Sequence, residues 1–294
     1  MKGVKIVAVL ACHNRRSKTI KCFERYFITA SEAGVLPVAI LLDDGSSDGT
    51  ADAVKKQFPW VEIIDANGSL FWNGGMRAAI ARAMEMEFDF ILWLNDDVVL
   101  RNDALFRLLN TYELKKIPNN ATLVGATKDI SNNNTSYSGI RVNKGYFSCS
   151  FERIIPRESP VKADTMNGNI VLIPRQVVFD VGNLFSGYTH GMGDYDYGLR
   201  IVASGYTIWV APGYFGECDG HEIKNSRYDK ELSFKERVNL LKGTSGLPPT
   251  DEWLLFIKRN FPSLWPFYWF RSVIREKFPI LWVILRRSPP GHFK

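Results

Sequence analysis

Asp96 and Asp97 stand side by side at the end of the apolar run in FDFILWLNDDVVL (88–100). Adjacent carboxylates repel each other, so a rigid site that holds them needs an offsetting positive charge. A divalent cation bound through oxygen supplies one, and phosphate oxygens commonly complete its shell. Two other apolar runs also end in polar groups. LLDDGSSDGT (41–50) places Asp43 and Asp44 where acids at strand–helix junctions hold ribose hydroxyls or a base edge, and ACHNR (11–15) ends the first run in His13 and Asn14. A solvated turn explains any one of these alone. Three of them on one edge favour a shared ligand. GDYDYGLR (193–200) adds two further acids. On a helix Asp194 and Asp196 face different directions, and Asp196 has Arg200 at i+4 for a surface pair. Asp194 has no such local partner, which makes it the better proton acceptor. Neither GxxxxGK[ST] nor GxGxxG occurs, so no phosphate-cradling loop and no dinucleotide fingerprint is present.

Acids can converge only if the elements beneath them are parallel. The runs at 4–12, 37–44, 61–67 and 88–97 are continuous in apolar residues, the pattern of strands covered on both faces. Helical spacing lies between them: Met76, Ile80, Ala83 and Met84 share one face of 73–87, and Leu105, Leu108, Leu109 and Tyr112 share another after Asn102 as cap. Alternating strands and helices predict an α/β sheet with helices on both faces and ligands at the carboxyl ends of its strands. Residues 118–165 read as loops and short strands. Beyond them the pattern predicts a strand over 169–173, a short helix beginning with Pro174, a helix from about Asp194 and a final strand over 207–211. Trp72, read as a loop residue before a helix, either stacks on a sugar or base or caps the core.

With 294 residues, 46% of them hydrophobic, the chain is long enough to bury a full core. Its four cysteines show no CxxC pairing, against both a disulfide framework and a zinc knuckle. The net charge of +6 is concentrated: eight basic residues and one acid, Glu276, fall within 258–294. That placement argues against a nucleic-acid partner, whose basic patch belongs on the folded domain. SLWPFYWFRSVIREKFPILWVILRRSPPGHFK (263–294) mixes aromatic and basic side chains in apolar runs too short to span a bilayer. Short helices lying in an anionic membrane surface are expected, with packing on the catalytic domain or a dimer contact as the alternative. The N-terminus lacks the features of a secretory signal, so the expected location is cytoplasmic, peripheral on the inner face of the membrane. The expected division is a catalytic domain over 1–215 and an extension over 216–294, with GTSGLPP (243–249) as a linker.

ACHNR, LDDGSSDGT, WLNDDV and the pair GNIVLIPRQVVFDVGNLF and GDYDYGLRIVASGY stand in the order and spacing of family 2 glycosyltransferases of the GT-A fold, which residues 4 to 212 resemble. The resemblance implies a Rossmann-like mixed sheet flanked by helices, followed here by the aromatic and basic C-terminal appendage. It implies an inverting transfer from a nucleoside-diphosphate sugar (UDP-, dTDP- or GDP-linked) to a glycan or lipid-linked acceptor, rhamnosyl transfer in surface polysaccharide synthesis being one such case. By position, Ala11, His13, Asn14, Asp43, Asp44, Trp72 and Asp96 would face the donor. Asp97 would ligate Mn2+ or Mg2+, with His221, Cys218 or water as a further ligand. Asp194 would be the base, and Asn167, His190 and Asp196 would lie on the acceptor side. The family's usual Glu-Asp-x-Asp has Gly193 in place of its Glu, a departure that bears on acceptor positioning. A sugar-phosphate nucleotidyltransferase shares this topology but carries a Gly-rich basic loop that CHNRRSKT lacks; a non-catalytic nucleotide-sugar-binding protein is the third reading.

Overall fold

The structure, a computed structural model, describes residues 3–114, 117–189, 191–219, 232–236 and 250–285. It divides into two compact units, one from Met1–Arg141 with Arg153–Gly220, the other from Val142–Glu152 with His221–Lys294.

The first unit starts with β1 (Lys5–Cys12), α1 (Arg16–Ala33), β2 (Leu36–Asp43), α2 (Thr50–Gln57), β3 (Glu62–Asp65), α3 (Phe71–Met84) and β4 (Phe90–Leu94). These four strands are parallel, with Cys12 opposite Asp43, Asp43 opposite Asp65, and Val9 opposite Trp93. Their carboxyl ends therefore share one edge. Ile91, Leu92, Trp93 and Leu94 are buried on both faces of β4, each contributing about 1.5–3 kcal/mol relative to an exposed side chain. The apolar run thus anchors the strand whose end carries Asp96 and Asp97.

The chain continues through β5 (Val99–Leu100), α4 (Ala104–Asn110), β6 (Thr122–Lys128), β7 (Thr135–Tyr137), β8 (Gly139–Lys144), β9 (Cys149–Arg153), β10 (Val161–Ala163), β11 (Thr165–Met166), β12 (Ile170–Pro174), α5 (Arg175–Val181), α6 (Gly193–Ala203) and β13 (Ile208–Glu217). The main sheet runs β10-β13-β6-β12-β4-β1-β2-β3, and β12 is antiparallel to both β4 and β6, so the sheet is mixed. A smaller sheet has the order β11-β8-β9.

Several elements differ from the sequence expectation. Residues 118–165 contain β6, a buried strand of the main sheet; TLVGATK lacks a continuous apolar run because Thr122 and Thr127 are buried with it. The final strand extends to Glu217 rather than Ala211. Its register shifts between Val210 and Tyr214, where Arg107 donates to the carbonyls of Pro212 and Tyr214 and holds the irregular segment in place. α3 begins at Phe71, which takes Trp72 out of a loop and into the first helical turn. α4 is preceded by Asp103 rather than capped by Asn102, whose side chain instead accepts from Arg25.

The second unit contains the 142–152 hairpin and the helices α7 (Thr250–Asn260), α8 (Trp265–Lys277) and α9 (Pro279–Leu285). Phe151 packs against Trp253, Phe256 and Phe261. The Cys149 N–H donates to the Tyr268 hydroxyl, which donates in turn to the Cys149 carbonyl, each at 3.1 Å. Phe267, Trp269, Phe270, Phe278, Ile280 and Leu281 remain exposed. Among the described residues no helix is long and apolar enough to cross a membrane. The expected linker at 243–249 lies outside the described residues.

Candidate active site

Three loops leave the carboxyl edge and are tied to one another. Asp44 is buried and accepts from the backbone N–H groups of Gly68 (2.9 Å), Leu70 (3.0 Å) and Phe71 (2.7 Å), so it shapes the loop that enters α3. Asp43, also buried, accepts from the Ser46 N–H at 2.8 Å through one oxygen; its other oxygen accepts no hydrogen bond among the described residues. Of the two, Asp43 therefore has the freer carboxylate. His13 Nδ1 donates to the Asp44 carbonyl at 2.7 Å, and Nε2 accepts from Asn14 at 3.0 Å, which fixes an exposed imidazole by both nitrogens. Asn14, at φ 52°, also straps the loops together by accepting from the Ser47 N–H at 2.8 Å. The Ala11 methyl is turned towards Gly75 of α3.

Asp96 and Asp97 meet a residue with no role in the sequence reading. Arg15 Nη1 lies 3.1 Å from Asp96 and 3.0 Å from Asp97 and bridges the two carboxylates. Thr19 adds a longer hydroxyl contact to Asp96, and the Cys218 thiol donates to Asp97 at 3.3 Å. Burial pushes the Asp96 carboxyl up to about 6 against the lowering effect of Arg15. Burial, followed by the charge of Asp97, pushes the Cys218 thiol well up, so it stays protonated. The signal for Arg15 was present in ACHNR, as a cation three residues past a strand end on the edge that also carries the acid pair.

The donor set can be judged against a divalent cation. Two adjacent carboxylates suit an ion of the Mg2+ type, which takes one or two from protein and the rest of its shell from phosphate and water. The Arg15 guanidinium marks a place where positive charge is already stabilised between them. Among the described residues no three His, Cys, Asp or Glu gather into a cage. The pair thus suits a cation shared with a diphosphate. His221 and His190 lie outside the described residues.

Trp72 joins this rim to Asp194. Its indole donates to Asn95 at 2.9 Å and its ring meets Trp93 edge-on, while Gly168 lies so close that a Cβ there would come within 2.6 Å of the ring. Gly168 also donates its N–H to Asp194 at 3.0 Å, and the Tyr195 N–H donates at 2.8 Å. Asp194 is therefore not partnerless, as its i+4 neighbour suggested; its partners are a distant backbone and its own helical turn. Burial pushes its carboxyl up to about 6, with these hydrogen bonds opposing. Asn167 sits alongside, 3.4 Å from the Tyr195 hydroxyl.

Asp196 departs from the expected surface pair. It is fully buried, bound to Arg200 at 3.1 Å and to the Tyr188 hydroxyl at 3.2 Å, and Arg200 continues to the carbonyls of Val181 and Asn183. Helical spacing gave the partner but not the burial. Gly193 also has a spatial reason: a Cβ there would lie 1.9 Å from the Asn73 side-chain oxygen, so Asn73 fills the space that a longer residue at 193 would occupy.

A mixed sheet with acids gathered at one rim is the architecture of GT-A glycosyltransferases, and solved members of that class superpose on it. The chain is similar to GalNAc-T7, crystallised with UDP, GalNAc and Mn2+, with a TM-score of 0.52 and 11% identity over 97% of this chain; it spans 58% of that one. It is similar also to S. aureus TarS 1-349, with a TM-score of 0.53 and 13% identity, covering 88% of this chain and 72% of that one. The chain belongs to glycosyltransferase-like family 2, whose profile matches residues 5–258. It is 26% identical over 216 residues to the N-acetylglucosaminyl-diphospho-decaprenol L-rhamnosyltransferase of Mycobacterium tuberculosis strain H37Rv, covering 64% of this chain and 69% of the relative, and the strain CDC 1551 protein matches to the same extent. The protein is thus a glycosyltransferase, and the nucleotidyltransferase alternative is set aside.

Proposed function

We propose that the protein is an inverting, cation-dependent glycosyltransferase that moves a sugar, with rhamnose as the leading choice, from a nucleoside-diphosphate donor to a glycan or lipid-linked acceptor. The observation that carries this reading is the convergence on one rim of Asp43, Asp96, Asp97 and Asp194, linked through Asp44, Trp72 and Gly168. The relative's printed name supplies the rhamnosyl group and the diphospholipid acceptor.

In this reading Asp43 receives ribose or base hydrogen bonds, and His13, held by both nitrogens, offers its ring to the base. Asp97 would hold Mn2+ or Mg2+, with Asp96 beside it against the donor. When bound, that cation neutralises charge on the departing diphosphate. Asp194 accepts the proton of the attacking acceptor hydroxyl, and its carboxyl near 6 leaves it ionised and basic at neutral pH. Asn167, hydrogen-bonded to the Tyr195 hydroxyl, would lie on the acceptor side. The first unit, through Gly220, supplies this chemistry in this reading, while the C-terminal helices hold the enzyme on the inner face of an anionic membrane beside its acceptor.

Calorimetry with UDP-, dTDP- and GDP-sugars, with and without Mn2+, tests the donor class. Asp194→Asn should retain donor binding and lose about 100-fold or more in kcat, the usual scale for a general base. Turnover unaffected by that substitution would remove Asp194 from the chemistry.

A further inference from the structure

We propose that Arg15 is a displaceable counter-ion that makes cation binding at Asp96 and Asp97 conditional on the diphosphate of the donor. This rests on the cation-dependent reading above. The two carboxylates are enclosed, their side chains only 6% and 15% exposed; Asp97 accepts from the Cys218 thiol at 3.3 Å, and the Thr19 hydroxyl lies 3.4 Å from Asp96. The Arg15 side chain is 49% exposed and reaches them through a single nitrogen; its guanidinium makes no other hydrogen bond among the described residues. The base of this arm is set by its place just before α1, where the Arg15 carbonyl accepts from Thr19.

A divalent ion on Asp97 and a guanidinium 3.0 Å from the same carboxylate repel, so one must leave. In the free protein the cation has to expel Arg15 into water and break both ion pairs. With a diphosphate on the rim, the released guanidinium has phosphate oxygens to bind, the anion it matches best. The exchange then costs little. By linkage the reverse holds to the same extent: the cation strengthens diphosphate binding because it frees Arg15 to contact it.

The test measures Mn2+ binding by electron paramagnetic resonance in the nucleotide-free wild type, Arg15→Gln, Arg15→Lys and Asp97→Asn, with thermal melts to confirm folding. UDP, dTDP and GDP are then titrated in turn, with and without Mn2+. Arg15→Gln should bind Mn2+ about tenfold tighter than wild type without nucleotide, the effect expected from removing one nearby positive charge. Arg15→Lys should stay near wild type. The gain in nucleotide affinity that Mn2+ gives the wild type should shrink in Arg15→Gln. Equal Mn2+ affinities for wild type and Arg15→Gln, with binding lost in Asp97→Asn, would overturn this proposal alone. If, with nucleotide present, Asp97→Asn binds Mn2+ as well as wild type, the cation-dependent reading fails and the proposal fails with it.

Discussion

Asp44 and Asp194 are both carboxylates near the rim, yet their surroundings give them different work. Asp44 accepts three backbone N–H groups, two of them through one oxygen. Asp44→Asn keeps one oxygen for the Leu70 and Phe71 donors and turns its amide towards the Gly68 N–H, at roughly 1–3 kcal/mol for the donor left without an acceptor. The expected result is a lower midpoint in denaturant, with no change in slope; an unchanged midpoint would deny Asp44 its structural role. Asp194 is set by burial instead. Its carboxyl is raised to about 6, and the base is active when ionised, so kcat/KM should rise with pH through that value and level off above it. A pH profile measured at saturating Mn2+ shows whether a limb lies there, and Asp194→Glu should shift that limb while Asp194→Asn abolishes it.

α3 and α6 meet where Asn73 occupies the space over Gly193. Asn73 is fully buried and donates to the carbonyls of Phe185 and Tyr188, so it cannot swing away freely. Gly193→Ala should therefore destabilise the protein by about 1–3 kcal/mol, as overpacking does. Asn73→Gly should recover part of that loss in the double variant, although it gives up two hydrogen bonds of its own. A double-mutant cycle on thermal or urea unfolding measures the coupling, and additive effects would show that the two positions do not compete for space. The segment that holds Asp194 thus depends on a side chain some 120 residues earlier in the chain.

The second unit of the molecule combines an internal aromatic core with an outward apolar row. Tyr268 and Ser272 are buried one turn apart on α8, whereas Phe267, Trp269 and Phe270 are exposed beside Arg271 and Arg275. Aromatic and basic side chains together favour the headgroup region of an anionic bilayer. Replacing Trp269 and Phe270 by Ser should weaken binding to phosphatidylglycerol-containing vesicles about tenfold or more, given about 1.5–3 kcal/mol for a buried aromatic. Co-sedimentation that does not change would remove the membrane role, and the row would then await another partner.

The sheet was legible in the sequence wherever strands are apolar throughout, as in β1, β2 and β4, because burial on both faces leaves an unbroken run. The rim acids were legible for a related reason, since they interrupt those runs at their ends. β6 escaped because its buried threonines look like a loop, and Asp196 was misplaced on the surface because helical spacing carries no information about depth. Local patterns thus named the strands and the acids. The bridge from Arg15 to Asp96 and Asp97, the union of Gly168 with Asp194 and the fit of Asn73 over Gly193 join residues 26 to 120 apart in the chain. Only folding brings such groups within a few ångströms, because their partners are chosen by how strands and helices pack.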